Sequence, residues 1–206
     1  MNPSKIDIDR NISKLRVNSS EFLNLDKTNL ISMLEQVIDN IKTISYYWAS
    51  LSSEKKGHLT KSKEGEEWIG GPFSCIYALQ YFIEYLQDKD GLDINKFDEI
   101  KKSYKVFPTK NIEKLLFPFL EGEIRFGKNL NFDQINEYRG FANRFNSNKP
   151  KITLVLGAGN VSSIPVLDAL FHMIAHKSVI YIKLNPVNDY LLPIFTQVFE
   201  PFISRG

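Results

Sequence analysis

The sequence predicts an α/β protein: a mainly helical region over 1–149 with short extended segments, then over 150–206 the start of a parallel sheet in β-α-β-α order. Three observations predict it. Apolar residues recur every three or four positions from Leu30 to Ile44, the period of a helix. Two short runs, 152–156 and 179–182, are almost wholly apolar and rich in strand formers, as strands buried on both faces are. Between them lie a glycine turn, two serines able to cap a helix and one apolar helical face, the kind of crossover a parallel pair requires.

Taken in order, the first 25 or so residues are polar and are predicted irregular. Leu30, Met33, Leu34, Val37, Ile38, Ile41 and Ile44 then form one helical stripe, with Asp26 or Thr28 as its N-cap. The Lys-rich stretch 51–65 reads as a solvated loop. Gly70, Gly71 and Pro72 punctuate the chain before a second helix, roughly 73–86, that ends near Asp90 and Gly91. Its stripe of Tyr77, Tyr81, Phe82 and Tyr85 reads as core packing, and Cys75 as a small buried hydrophobe. From 93 to 145 short apolar pieces such as 115–117 alternate with charged ones. Glu121 and Glu123 are spaced as an acid/base pair, but their alternation with Ile124 and Phe126 suits a half-exposed strand better. The polar run 146–150, ending in Pro150, marks the expected domain boundary.

Composition narrows the function classes. With 26 basic and 24 acidic residues among 206, the net charge is +2, so no field for nucleic acid or a membrane surface is available. The 43% hydrophobic and 13% aromatic content is that of a chain with a core, not a disordered one. A single cysteine excludes an internal disulfide and a cysteine-based zinc site. No apolar h-region opens the sequence and no run approaches the roughly 18 residues of a membrane span, so a cytoplasmic setting is expected.

The segment after Pro150 carries the functional signal. The first apolar run ends in Gly157, Ala158, Gly159 and Asn160. Ser162 or Ser163 then caps a helix, Pro165 suits its first turn, and Leu167, Leu170, Phe171 and Ile174 give it one apolar face. The second strand ends at Lys183. Asn188 and Asp189 are the expected cap of a further helix bearing Leu191, Phe195, Val198, Phe199 and Phe202, which Pro193 would bend or delay. A strand, a glycine loop and a helix N-terminus make a natural anion or cofactor site, because the backbone can be approached and its N–H groups point outward. Gly-x-Gly-Asn alone is a weak form of that signal. It lacks the third glycine of the dinucleotide fingerprint, and Lys183 stands where an acidic residue would.

The segments 154–160 and 182–188 resemble the cofactor-binding core of the aldehyde dehydrogenase superfamily, in which an Asn follows the first strand of a Rossmann-like sheet and a Lys ends the next. Gly159 to Pro165, Lys183 to Tyr190 and Glu121 to Ile124 are especially similar to a divergent bacterial branch. Specific similarity covers about 151–206 and becomes looser upstream. The resemblance implies NAD or NADP as cofactor and an aldehyde as substrate. It implies that the Asn160 amide is the oxyanion donor when a cysteine thiolate attacks the aldehyde, and that Lys183 contacts the adenosine ribose hydroxyls or a 2′-phosphate. Gly157, Ala158 and Gly159 would line the cleft through backbone atoms.

Two departures qualify it. Many members carry a Glu three residues after the Lys to share the ribose hydroxyls; here that position is Pro186, for which Asn185 or Asn188 substitutes only in part. The nucleophilic cysteine and the glutamate base are absent, and Cys75 precedes the cofactor strands. The expectation is therefore an aldehyde dehydrogenase-like part, truncated and inactive by itself. Two strands and two helices leave apolar faces and edges uncovered, so the chain is expected to fold poorly or to be completed by a second chain or a homo-oligomeric partner.

Three other readings compete. His172 and His176 share one helix face at the spacing of zinc metalloproteases, but Met173 occupies the place of the catalytic Glu, so surface histidines are the plainer reading. A methyltransferase using S-adenosylmethionine would also suit Gly-x-Gly, although it expects an acidic residue at 183. A non-catalytic interaction module fits the missing half.

Overall fold

The computed structural model describes residues 5–57, 60–87, 92–138 and 151–205. In chain order the elements are α1 (Lys5–Leu23), α2 (Lys27–Lys55), α3 (Lys61–Trp68), a π turn (Ile69–Phe73) and α4 (Ser74–Gln87). A 3₁₀ turn (Ile94–Lys96), β1 (Phe97–Asp98), β2 (Ser103–Phe107), α5 (Asn111–Leu116), β3 (Gly122–Arg125) and α6 (Phe132–Tyr138) follow. The last group is β4 (Lys151–Leu156), α7 (Ile164–His176), β5 (Ser178–Lys183), a 3₁₀ turn (Pro186–Leu191), α8 (Leu192–Val198) and α9 (Glu200–Ile203). The protein is thus mixed α/β and mostly helical, with small sheets.

Two compact units arise, and their division differs from a simple cut near 150. Residues 5–87 and 151–205 form one unit, and 92–138 form the other. The predicted boundary at 146–150 and the predicted helix end at 90–91 lie outside the described residues.

In the first unit, β4 and β5 pair in parallel and in register from Lys151–Ser178 to Leu156–Lys183. Helix α7 packs against both strands, and so does α1. The core lies between α7, α2 and α4. Leu34, Val37, Ile41 and Trp48 of α2 meet Leu79 of α4 and Leu170 of α7, all of them fully buried. Trp48 sets its ring edge-on against Phe195 of α8 at 5.3 Å. Burial of a side chain this large contributes about 3 kcal/mol or more relative to alanine. The Asn40 side chain donates to the carbonyls of Gln197 and Val198, both at 3.3 Å, tying α2 to the end of α8.

Several expectations are corrected here. The first 25 residues are not irregular: α1 is a 19-residue helix. Its inward positions, Ile8, Ile12, Leu15, Ser19 and Phe22, keep helical spacing, but Ser19 fills one slot and polar residues dilute the rest. The predicted loop 51–65 is mostly helix, because α2 continues to Lys55 with Ser52 and Ser53 turned inward, and α3 begins at Lys61. The glycines at 70–71 do break the helix, as expected: Gly71 has a non-helical backbone at the kink, and α4 begins just beyond it at Ser74. Asp26 is the N-cap of α2, accepting from the Asn29 N–H at 2.8 Å. At the other end, Asn185, not Asn188 or Asp189, caps the turn after β5, and Pro193 falls in the first turn of α8, where its missing N–H costs nothing.

The second unit is an antiparallel sheet in the order β1-β2-β3. Glu123 faces solvent on β3, where Arg125 and Ser103 bond its carboxylate and hold it below the usual range. Glu121 pairs with Lys105 at 2.6 Å. Both carboxylates are paired at the surface, as the strand reading expects, and neither sits in a cleft.

Candidate functional site

The carboxyl ends of β4 and β5 bring the sequence-predicted residues together. Leu156 pairs with Lys183, and the Gly157 N–H donates to the Lys183 carbonyl at 2.9 Å, extending the ladder by one bond into the turn. Gly157, Ala158 and Gly159 are half-buried, while Asn160 and Lys183 are exposed. The Lys183 ammonium donates to the neighbouring Leu184 carbonyl at 3.3 Å.

The turn is held from three sides. Asn188, 1% exposed, donates from its side chain to the Ala158 carbonyl at 2.9 Å. Lys56 donates to the Asn160 carbonyl at 3.1 Å and to both carboxylate oxygens of buried Glu67 at 2.8 and 2.9 Å. Asn185 accepts from the Val187 N–H at 3.1 Å, so its oxygen serves the following turn. A side chain at Gly159 would lie 2.8 Å from Val187 Cγ2 and 3.0 Å from Asn185, so this glycine is required by the chain's own approach.

The N-terminus of α7 is likewise engaged. Ser163 occupies the cap position but its hydroxyl makes no capping bond, and its N–H donates to the Gly70 carbonyl at 3.0 Å. Ser162 accepts from the Trp48 indole N–H at 3.1 Å. The π turn therefore packs on the helix end that an anion would use.

Cys75, the one cysteine, is fully buried in α4, and burial pushes its thiol well above the ordinary range. It is a core residue and no nucleophile, as the sequence suggests. Sequence reasoning missed Lys56 and Glu67, and read Ser162 only as a possible cap, not as the acceptor for Trp48. Lys56 lies 104 residues from its carbonyl partner, and no local pattern could have joined them.

A cavity of about 430 Å³ lies away from the turn. It touches four consecutive β5 residues, Val179 to Ile182, and none from β4. Since alternate strand residues face opposite ways, it runs along the free edge of β5, walled by α1, α7 and α8. No helix among the described residues is long and apolar enough to cross a membrane. Nor, among those residues, do three or more His, Cys, Asp or Glu side chains gather as a metal site. Compared with family models, curated proteins and solved structures, the chain matches none of them.

Proposed function

We propose that the carboxyl end of the β4–β5 pair binds NAD or NADP, and that the chain is the cofactor-binding part of an aldehyde dehydrogenase-like oxidoreductase with a Rossmann-like sheet. The observation that carries this reading is the Leu156–Lys183 pairing, which ends both strands at one edge and sets the glycine turn beside the lysine. Ligands of open α/β sheets bind outside the carboxyl ends of the strands. Lys183 supplies a charged donor to ribose hydroxyls or a 2′-phosphate, Asn185 a neighbouring polar group, and Gly157, Ala158 and Gly159 backbone atoms along the cleft. Asn160, exposed beside them, has an amide able to donate to a developing oxyanion. With Cys75 buried, attack on an aldehyde carbonyl requires a thiolate from beyond this sequence, supplied by a second chain or by further residues.

A second reading has its own support. Val187 and Asn185 press on Gly159, and Gly70 takes the Ser163 N–H, so the turn and the helix end are already served by protein. That packing suits a non-catalytic interaction module completed by a partner.

Calorimetric titration with NAD and with NADP separates the two. The cofactor reading expects saturable binding, weakened about tenfold or more by Lys183→Ala and little changed by Asn160→Ala, since one charge-assisted bond is lost in the first case only. No heat with either dinucleotide leaves the interaction module. Binding of S-adenosylmethionine in their place would mean methyl-transfer chemistry.

A further inference from the structure

The last turn of α7 carries a feature unrelated to the cofactor reading. His172 and His176 are one turn apart, and with Phe171 they form a three-ring cluster. Phe171 meets His172 edge-on at 5.5 Å and His176 at 5.4 Å, and the two imidazole centres are 5.2 Å apart. No hydrogen bond to another group among the described residues engages either ring.

We infer that His172 and His176 chelate a borderline divalent transition cation such as Zn(II) or Cu(II). An imidazole nitrogen binds zinc at about 2.0–2.1 Å with its ring centre roughly 1.2 Å further out, so two rings on one tetrahedral ion have centres about 5.2 Å apart. The observed separation agrees with that value. The ring planes differ by only 29°, a stacked pair, so chelation requires both rings to turn about their Cβ–Cγ bonds, and no hydrogen bond among the described residues opposes that turn. Three further features favour a cation here. His176 ends the helix, where the unsatisfied carbonyls carry partial negative charge. His176 is exposed and His172 half-buried, so solvent reaches the pair and supplies the remaining ligands. Phe171 restrains both rings on one side, lowering the freedom lost on chelation. Imidazole donors select Cu(II) and Zn(II) over Mg(II) or Ca(II), which prefer oxygen.

The chelate forms only when the helix holds the two rings one turn apart, so the ion stabilises the folded chain. The test is calorimetry and thermal melting of the full chain at about pH 7.5 with zinc sulfate, copper chloride and magnesium chloride. One ion per chain is expected for zinc and copper, copper binding tighter, with a raised melting midpoint and no response to magnesium. His172→Gln and His176→Gln each weaken binding about tenfold or more, while His58→Gln leaves it intact. Melting of each variant in EDTA at the native midpoint shows that the fold survives the substitution. Binding unchanged in both helix variants, half an ion per chain, or no binding up to about 1 mM metal overturns the inference.

Discussion

The glycine turns at Gly70–Gly71 and at Gly157–Gly159 need glycine for different reasons. A side chain on Gly71 would lie 2.9 Å from Ser162 Oγ and 3.3 Å from the Trp48 indole nitrogen, both buried and fixed. A side chain on Gly159 would meet Val187, which is 65% exposed, and the half-buried Asn185 amide at 3.0 Å. The first glycine is demanded by a rigid core, the second by a surface lid. Neither requires a ligand, so a glycine turn after a strand is no evidence of a cofactor by itself. The proposed cofactor site rests instead on the strand register, which sets Lys183 beside the turn.

Substitutions sharpen this contrast. The largest effect is expected at Lys56, which braces the second turn from the helical layer. Lys56→Met removes both charge-assisted bonds to the buried Glu67 carboxylate and should cost about 3 kcal/mol in a denaturant melt. Gly71→Ala comes next, at about 2 kcal/mol from overpacking against Trp48 and Ser162. Its neighbour is the control: at Gly70 the nearest atom is 3.5 Å away, so Gly70→Ala should cost under about 1 kcal/mol. Gly159→Ala should fall between, at about 1 kcal/mol, with Val187 displaced. Equal costs at 71 and 159 would erase the distinction between core and lid.

Much of this organisation is legible in the residues. The stripe from Leu30 to Ile44, the Asp26 cap and the positions of the two strands follow from periodicity and capping chemistry alone, but the expected burial of both faces does not hold: Leu154 and Leu156 of β4 are 57% and 68% exposed. What was hidden has physical causes. Helix α1 escapes because serine occupies an inward slot, and the end of α2 escapes because Ser52 and Ser53 are buried although they read as loop residues. In the site, Lys183 and the turn could be paired from sequence because strand spacing sets their register. The Lys56–Asn160 and Ser163–Gly70 bonds could not, since each joins distant parts of the sequence that no local pattern connects.

The smallest expected effect is at the Asp26 cap, distant from both turns. The bonds from the Asn29 backbone hold its carboxyl below the ordinary value of 3.8. A lowered folded-state value means that stabilisation is full above 3.8 and is lost as pH falls through the lowered value. Asp26→Ala should therefore lower the melting midpoint slightly at neutral pH, and the gap to the native chain should close on strong acidification. A gap that persists in acid would point to packing instead of the cap.

Backbone amide shifts measured during titration with NAD and NADP test the central claim most directly, because they locate binding residue by residue. The account predicts that the amides of Gly157, Gly159, Asn160 and Lys183 move together and saturate with one dinucleotide. Shifts confined to the cavity along β5, or none at all, would contradict it.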